Sequence, residues 1–195
     1  MTKNPLKHAV AALACVIACA APAHAASVLP LYLEEMIDTA SVAFEGTCVG
    51  NRSERDPATN LVVTYTTFQV RDVLKGTVAA THVIKQVGGT LPDGGMQYRV
   101  AGVPTFAPGE DYVVFLAGVS SAGFSSPIGL AQGRFSVKPG QRVGNGRDFR
   151  EMATHVGPHM PASARAALAN AQGPVRDMDL LEFKQTVRNR VAVAQ

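Results

Sequence analysis

The chain has 195 residues, a formal net charge of +3 at pH 7, 6% aromatic residues and no tryptophan. Two of its 18 basic residues lie in the first 25 positions, so the rest holds 16 basic and 15 acidic residues, a net charge of +1. A nearly neutral chain gives no electrostatic basis for binding nucleic acid. The lack of tryptophan opposes an aromatic platform for carbohydrate.

The first 25 residues have the layout of a bacterial secretory signal peptide. A basic head ending at His8 precedes an apolar run over residues 9–20, and Ala23-His24-Ala25 places small residues at the −3 and −1 positions of a cleavage site. The apolar run is shorter than the ~20 residues that a membrane-spanning helix needs. The sequence predicts cleavage after Ala25 and a secreted or periplasmic protein without a membrane span.

The same segment allows a second interpretation. Val16-Ile17-Ala18-Cys19 has the form of a lipobox, in which Cys19 becomes a lipidated N-terminus and anchors a lipoprotein in the cell envelope. The residues after Cys19 lack the polar linker that a tethered lipoprotein carries, which favours cleavage after Ala25.

Cys48 is the only cysteine beyond residue 25, so the mature chain has no partner for an internal disulfide. It continues an apolar alternation from Val42 and Phe44, which favours a buried, inert thiol. A reactive thiol or an intermolecular disulfide is the alternative.

Hydrophobic periodicity predicts a short helix, five to seven strands and a C-terminal helix. Apolar residues between Leu29 and Ala40 have helical spacing, and Asp177 or Asp179 is placed to cap a helix that follows it. A further helix is predicted at Ala162–Ala171, and polar Asn51–Asn60 is predicted as an exposed loop. The predicted strands are Ser41–Gly50, Leu61–Val70 with a short continuation to Gly76, Thr81–Val87 closed by Gly88-Gly89, Met96–Val100, Asp111–Ala117 and a pair within Ile128–Val137. Side chains alternate along the second of these strands, which places Val62, Thr64, Thr66, Phe68 and Val70 on one face, and in Asp111–Ala117 the alternation separates Tyr112, Val114 and Leu116 from Val113 and Phe115.

Three segments occur in an order that resembles a known family. They are FEGT at Phe44–Thr47, FQVRDVLKG at Phe68–Gly76 and PGEDYVVFL at Pro108–Leu116. Together, across about residues 40–118, they resemble the netrin-like module, the OB-type barrel of tissue inhibitors of metalloproteinases and complement tails. The resemblance implies a mainly β fold: a small OB-type, netrin-like barrel with flanking N- and C-terminal helices.

This resemblance sets the expected domain organisation. Residues 1–25 form the signal peptide, and residues 26–150 form the barrel domain with its N-terminal helix. Residues 151–195 hold a weakly patterned segment and a C-terminal helix that packs on the barrel. Lys75, at the end of the second motif, is expected to be a solvated lysine that discourages edge pairing.

The resemblance also implies a function. It suggests an exported, non-enzymatic binding or inhibitory module that acts on another extracytoplasmic protein, with a secreted metalloprotease as the suggested partner. Such inhibitors chelate the protease zinc with an N-terminal cysteine in a Cys-x-Cys pair. The mature chain would begin Ala26-Ser27-Val28, so that chelating mechanism does not carry over.

His155 and His159 are the candidate metal ligands. Two imidazoles at i, i+4 could share a metal ion on a helix, and the nearby Met152 and Met160 would suit copper. A metal-handling or envelope-associated accessory protein is therefore the alternative function. Gly157 and Pro158 oppose a regular helix here, which favours an exposed flexible loop.

No motif in the sequence predicts catalysis or a cofactor. The serines of Gly118–Ser126 do not form a Gly-x-Ser-x-Gly elbow, and there is no zinc-protease HExxH, Walker loop or dinucleotide fingerprint. The acidic residues Asp93, Glu110 and Asp111 adjoin turns that explain them. We therefore predict no enzymatic activity and no cofactor.

Overall fold

The computed structural model describes residues 29–92 and 97–194. The predicted signal peptide lies outside these residues, with Cys19, Ala23 and Ala25, and so do Ala26–Val28 and Asp93–Met96. No helix of the described part is long and apolar enough to cross a membrane.

Nine strands and four α-helices form the described chain. The strands are β1 (Val42–Arg55), β2 (Val62–Lys75), β3 (Thr81–Val87), β4 (Gly89–Thr90), β5 (Gln97–Tyr98), β6 (Asp111–Leu116), β7 (Arg134–Lys138), β8 (Arg142–Gly144) and β9 (Met178–Asp179). The helices are α1 (Leu33–Thr39), α2 (Phe149–Met152), α3 (Ala162–Asn170) and α4 (Leu180–Val193), and Leu130–Gly133 and Gly157–His159 form 3₁₀ turns.

Seven strands form one antiparallel sheet in the order β3-β2-β1-β6-β7-β8-β9, and β4 and β5 form a separate hairpin. This confirms the mainly β class with helices at both ends. Across the described residues no strand pairing joins the outer strands β3 and β9. A closed barrel is therefore not found.

Side-chain alternation in β6 separates two cores. Val113 and Phe115 lie in a helix-side core that also contains residues of all four helices. Tyr112, Val114 and Leu116 point the other way into a loop-side core, which includes Phe106 from the segment before β6. The predicted alternation of these five residues is confirmed, and it explains why this strand is apolar along its length.

Strand β1 continues through Asn51–Arg55, the first half of the segment predicted as a loop, and the prediction was wrong for that half. Asn51 pairs with Thr66 and Arg55 with Val62, so β1 and β2 form a long ribbon. Only the stretch around Asp56, which accepts a hydrogen bond from the Thr59 hydroxyl, turns the chain. The prediction was wrong because cross-strand pairing accommodates polar residues that local composition assigns to loops.

Shorter elements also differ from the predictions. The predicted strand pair within Ile128–Val137 is a 3₁₀ turn followed by one strand, because the chain folds back on itself and the Gly133 N–H donates to the Ile128 carbonyl (2.8 Å). Within the described part of predicted Met96–Val100, which is residues 97–100, the strand comprises Gln97–Tyr98, whereas the predicted helix from Ala162 is confirmed.

The Lys75-Gly76 motif joins β2 to the N-terminal helix. The Lys75 ammonium donates to the carbonyls of Ile37 (2.6 Å) and Asp38 (2.9 Å) at the end of α1. These carbonyls have no partner within the helix, so Lys75 caps it. Lys75 is half-buried, and its expected role as a solvated end-of-strand residue was wrong.

Gly76→Ala should lower the free energy of unfolding by about 2–3 kcal/mol. Gly76 has φ +70°, and a Cβ there would lie 2.5 Å from the Ser41 carbonyl oxygen. Urea unfolding measures the loss. Gly140→Ala is the matched control, since Gly140 has φ +76° and open space around it, so only the left-handed conformation should cost about 1 kcal/mol. Equal losses in both variants would show that the contact between residue 76 and the Ser41 carbonyl does not affect stability.

Asp148 attaches the segment before β9 to the start of α2. Its carboxylate accepts hydrogen bonds from the backbone N–H groups of Arg150 (3.0 Å) and Val175 (2.9 Å) and pairs with the Arg150 guanidinium. The Arg150 side chain, helped by these backbone donors, lowers the pKa of Asp148 to about 2. The ionised carboxylate therefore stabilises the folded chain.

Asp148→Asn should lower the free energy of unfolding by about 1–2 kcal/mol near neutral pH, because it removes the carboxylate charge that pairs with Arg150 while an Asn side chain can still cap the helix. Because folding lowers the pKa of Asp148, its contribution is present above pH ~4 and disappears as the pH falls toward 2. The difference between wild type and variant, measured by urea unfolding at each pH, should shrink over that range. Asp177→Asn, which alters an exposed pair with Lys138, should change stability by about 0.5 kcal/mol or less. A gap between wild type and Asp148→Asn that does not change with pH would contradict the assignment.

Candidate functional site

A cavity of about 610 Å³ lies on the loop-side face of β1, β2 and β3. This volume is within the range of small-molecule and peptide pockets. Polar strand residues form its floor, and the β4–β5 hairpin and residues 99–106 form its roof and walls. The floor residues are Asn51, Thr64, Thr66 and Gln86.

Strand alternation and register bring the floor together. Thr64 and Thr66 share a face of β2 with the buried Phe68, as the sequence predicted, while Gln86 pairs with Thr64 and Asn51 with Thr66. Phe68 packs edge-on against Phe106 at 5.0 Å. The same face therefore changes from an apolar core to a polar cavity floor along the strands.

Most floor side chains hydrogen-bond to one another or to the wall. The Thr66 hydroxyl donates to Asn51 Oδ1 (2.7 Å), and Asn51 Nδ2 donates to the Phe106 carbonyl (2.7 Å). The Thr64 hydroxyl donates to the Gly88 carbonyl (2.7 Å). These bonds fix the floor and attach the covering segment to it.

Gln86 differs from its neighbours. It is only 3% exposed, and its Nε2 atom is buried without a hydrogen-bond partner among the described residues. An unpaired buried donor costs about 1–3 kcal/mol. Gln86 is therefore the floor residue whose hydrogen bonding the described protein groups leave incomplete.

Two glycines bring the roof onto the sheet. A side chain on Gly89 would overlap the hydroxyls of Thr64 and Ser53, and one on Gly88 would lie 2.9 Å from the Tyr98 carbonyl oxygen. Only glycines allow the hairpin to approach this closely. The glycine pair predicted to end the third strand thus forms part of the cavity.

The rim carries the cavity's charge. Among the lining residues that the structure describes, Arg99 is the only one with a formal charge, and it is exposed. It forms no ion pair with any residue in the described ranges. The floor is uncharged, and one cation stands at the opening.

The predicted metal ligands lie elsewhere. His155 is exposed and packs edge-on against Tyr32 at 4.4 Å, and the carbonyl of His159 accepts a hydrogen bond from Asn189. Met152 and Met160 are buried in the helix-side core. Met152 ends α2, residues 153–156 form a turn that contains His155, and Gly157–His159 form a 3₁₀ turn, so the expectation of an exposed loop was wrong for the buried residues of this segment.

No group of three or more His, Cys, Asp or Glu side chains within residues 29–92 and 97–194 is placed to hold a metal ion. A site made by the two histidines stays a prediction. Cys48, by contrast, is fully buried, as predicted, and burial raises the pKa of its thiol. It is therefore a poor nucleophile.

The sequence contained part of the signal for the cavity. The alternation in β2 placed Thr64 and Thr66 beside Phe68, which is a polar pair on a core face. Asn51 was missed because its segment was predicted as a loop. Gln86 was missed because nothing local shows that the covering segment leaves its amide unpaired.

The fold and the cavity define a class: a mainly β protein with a preformed cavity, uncharged along its floor, on one face of its sheet. No protein-family model matches the chain, and no curated protein is significantly similar to it in sequence.

Proposed function

We propose that the chain is an exported, non-enzymatic binding module that acts on another extracytoplasmic protein and recognises it through the cavity above β1–β3. The observation that carries the proposal is the buried, unpaired Gln86 amide in a cavity of about 610 Å³. Export rests on the layout of the first 25 residues.

The composition of the cavity favours binding over catalysis. Its lining contains hydroxyls, carboxamides, apolar groups and Arg99, and no Asp, Glu, His, Cys or Lys among the described lining residues. General acid–base and nucleophilic catalysis need such groups, held close together. A binding site needs only shape and a few polar groups with unmet hydrogen bonds.

An OB-type, netrin-like module is the fold that we propose for this binding function. The order of the three motifs supports it, and so does the physical role of the second motif, in which Lys75 caps α1 and Gly76 lets β2 pass the Ser41 backbone. A secreted metalloprotease is the partner class that the resemblance suggests. Recognition through the cavity would not need an N-terminal Cys-x-Cys pair.

Ala101→Trp should abolish partner binding by closing the cavity mouth. Ala101 is exposed, lines the cavity and precedes Gly102, which has φ +82°. Ala122→Trp is a matched control, because Ala122 is also exposed in a turn before a positive-φ glycine and does not line the cavity. The chain, expressed from its full coding sequence, would be assayed at micromolar concentration against a panel of secreted zinc proteases. We expect inhibition by wild type and Ala122→Trp and at least about tenfold weaker inhibition by Ala101→Trp.

If no protease in the panel is inhibited, the metalloprotease partner is abandoned. Capture from native envelope and culture fluid then tests the site itself. A partner retained by wild type and Ala122→Trp but lost by Ala101→Trp supports recognition through the cavity. Equal retention by all three proteins would place the binding surface elsewhere.

A further inference from the structure

We infer that the cavity binds an uncharged, amide-bearing peptide segment of the partner protein, with the amide paired to Gln86. This inference rests on the proposed function and names the chemistry that the same cavity recognises.

The first argument is the hydrogen-bonding pattern of Gln86. A carboxamide presents a donor and an acceptor side by side, and the Gln86 side chain makes no hydrogen bond to any described side chain or backbone group. The group that satisfies both atoms at once is another amide, which has the complementary pair. A peptide bond or an Asn or Gln side chain supplies it.

The second argument is the absence of charge on the floor. Asn51, Thr64, Thr66 and Gln86 are all neutral. An ionised group buried against them would lose its hydration without gaining a counter-charge, which is strongly unfavourable. The buried part of the ligand is therefore uncharged, and the exposed Arg99 is the described lining residue that is placed to meet an anionic group outside.

The third argument is the apolar wall. Val103, Pro104 and Phe106 line the cavity beside the polar floor, and Phe106 and Pro104 are themselves buried. A peptide segment combines an amide with an adjacent aliphatic side chain, so it meets the floor and the wall together. A simple ion or a polyol would leave the wall without a contact.

Three matched probes test the ligand class by NMR titration of the chain expressed from its full coding sequence. At pH 6, N-acetyl-leucine amide is neutral, N-acetyl-leucine is an anion and leucine amide is a cation. We expect saturable binding of the neutral probe, with a Kd on the order of 1 mM, and at least about tenfold weaker binding of both charged probes.

Gln86→Leu tests the role of the amide. It should weaken binding of N-acetyl-leucine amide about tenfold and raise the Tm of the free protein by about 2–4 °C, because the unpaired amide is removed. The rise in Tm also shows that the variant folds. Gln69→Leu, at an exposed position on β2 that does not line the cavity, is the matched control and should leave binding within about twofold.

Equal or tighter binding of either charged probe would overturn the inference, as would a Gln86→Leu variant that binds the neutral probe like wild type. No saturable binding of any probe would mean that water alone satisfies Gln86, and the inference would fail. The proposed function fails separately, if Ala101→Trp keeps full partner binding. The two failures are therefore distinguishable.

Discussion

Phe183→Ala is expected to lower the free energy of unfolding by about 3–5 kcal/mol, the cost of emptying a large aromatic site in a packed core. Phe183 is fully buried on α4. Its ring centroid lies 4.9 Å from that of Phe135, 5.9 Å from that of Phe149 and 6.2 Å from that of Phe115. These rings belong to two sheet strands and α2, so the loss should appear as a single shifted transition in urea unfolding.

Leu181→Ala is the control two residues earlier on the same helix. Leu181 is 69% exposed and lies outside the buried side of α4. Its truncation should change the free energy of unfolding by about 0.5 kcal/mol or less. Similar losses for the two variants, or a separate early transition for α4, would show that the helix is not part of the sheet's core.

The second large loss of stability is expected at Lys184, whose ion pairs attach α4 to the sheet. Its ammonium lies 2.7 Å from a Glu45 carboxylate oxygen and 2.8 Å from one of Asp72. Burial lowers the pKa of Lys184, but hydrogen bonds to Asp72 and Glu45 outweigh burial and raise it. Lys184→Met should cost about 2–3 kcal/mol, because the buried Glu45 then keeps only Arg71, at 3.2 Å.

A double-mutant cycle measures the interaction energy between Glu45 and Lys184. Glu45→Gln combined with Lys184→Met should destabilise less than the two single changes together, with a coupling energy of about 1–3 kcal/mol. Lys138→Met serves as a surface comparison, since Lys138 is 48% exposed in its pair with Asp177 and should contribute about 1 kcal/mol or less. Strict additivity in the cycle would contradict a direct interaction.

These ion pairs also bear on the resemblance to netrin-like modules. Glu45 lies in the first motif, and Asp72 and Lys75 lie in the second. Asp72 and Glu45 hold the C-terminal helix, and Lys75 caps the N-terminal helix. The motifs thus contain the groups that attach both terminal helices to the sheet, which is a structural reason for charged residues at those positions.

Gln86 is expected to have opposite effects on the stability of the free protein and on ligand binding. Gln86 should destabilise the free protein and yet be required for the ligand, so the two measurements on Gln86→Leu should move in opposite directions. Replacing a residue that serves only packing would lower the Tm and the ligand affinity together.

Elements with strong periodicity were predictable from the sequence alone. The strand Thr81–Val87 was predicted with its observed bounds, and Asp179 caps the C-terminal helix by accepting a hydrogen bond from the Glu182 backbone. Alternation in β2 and β6 was also predictable, because a side-chain period of two follows from the pleat itself. The burial of Cys48 followed from the same alternation.

Tertiary contacts decided the rest. Asn51–Arg55 became a strand because β2 lies opposite, and Lys75 became a helix cap because α1 ends beside it. Strands β8 and β9 are two or three residues long and exist only through their pairing, so no local pattern marks them. The unpaired amide of Gln86 arises from groups far apart in the chain, and hydrogen-bond satisfaction is a property of the folded surroundings, which no local stretch of sequence contains.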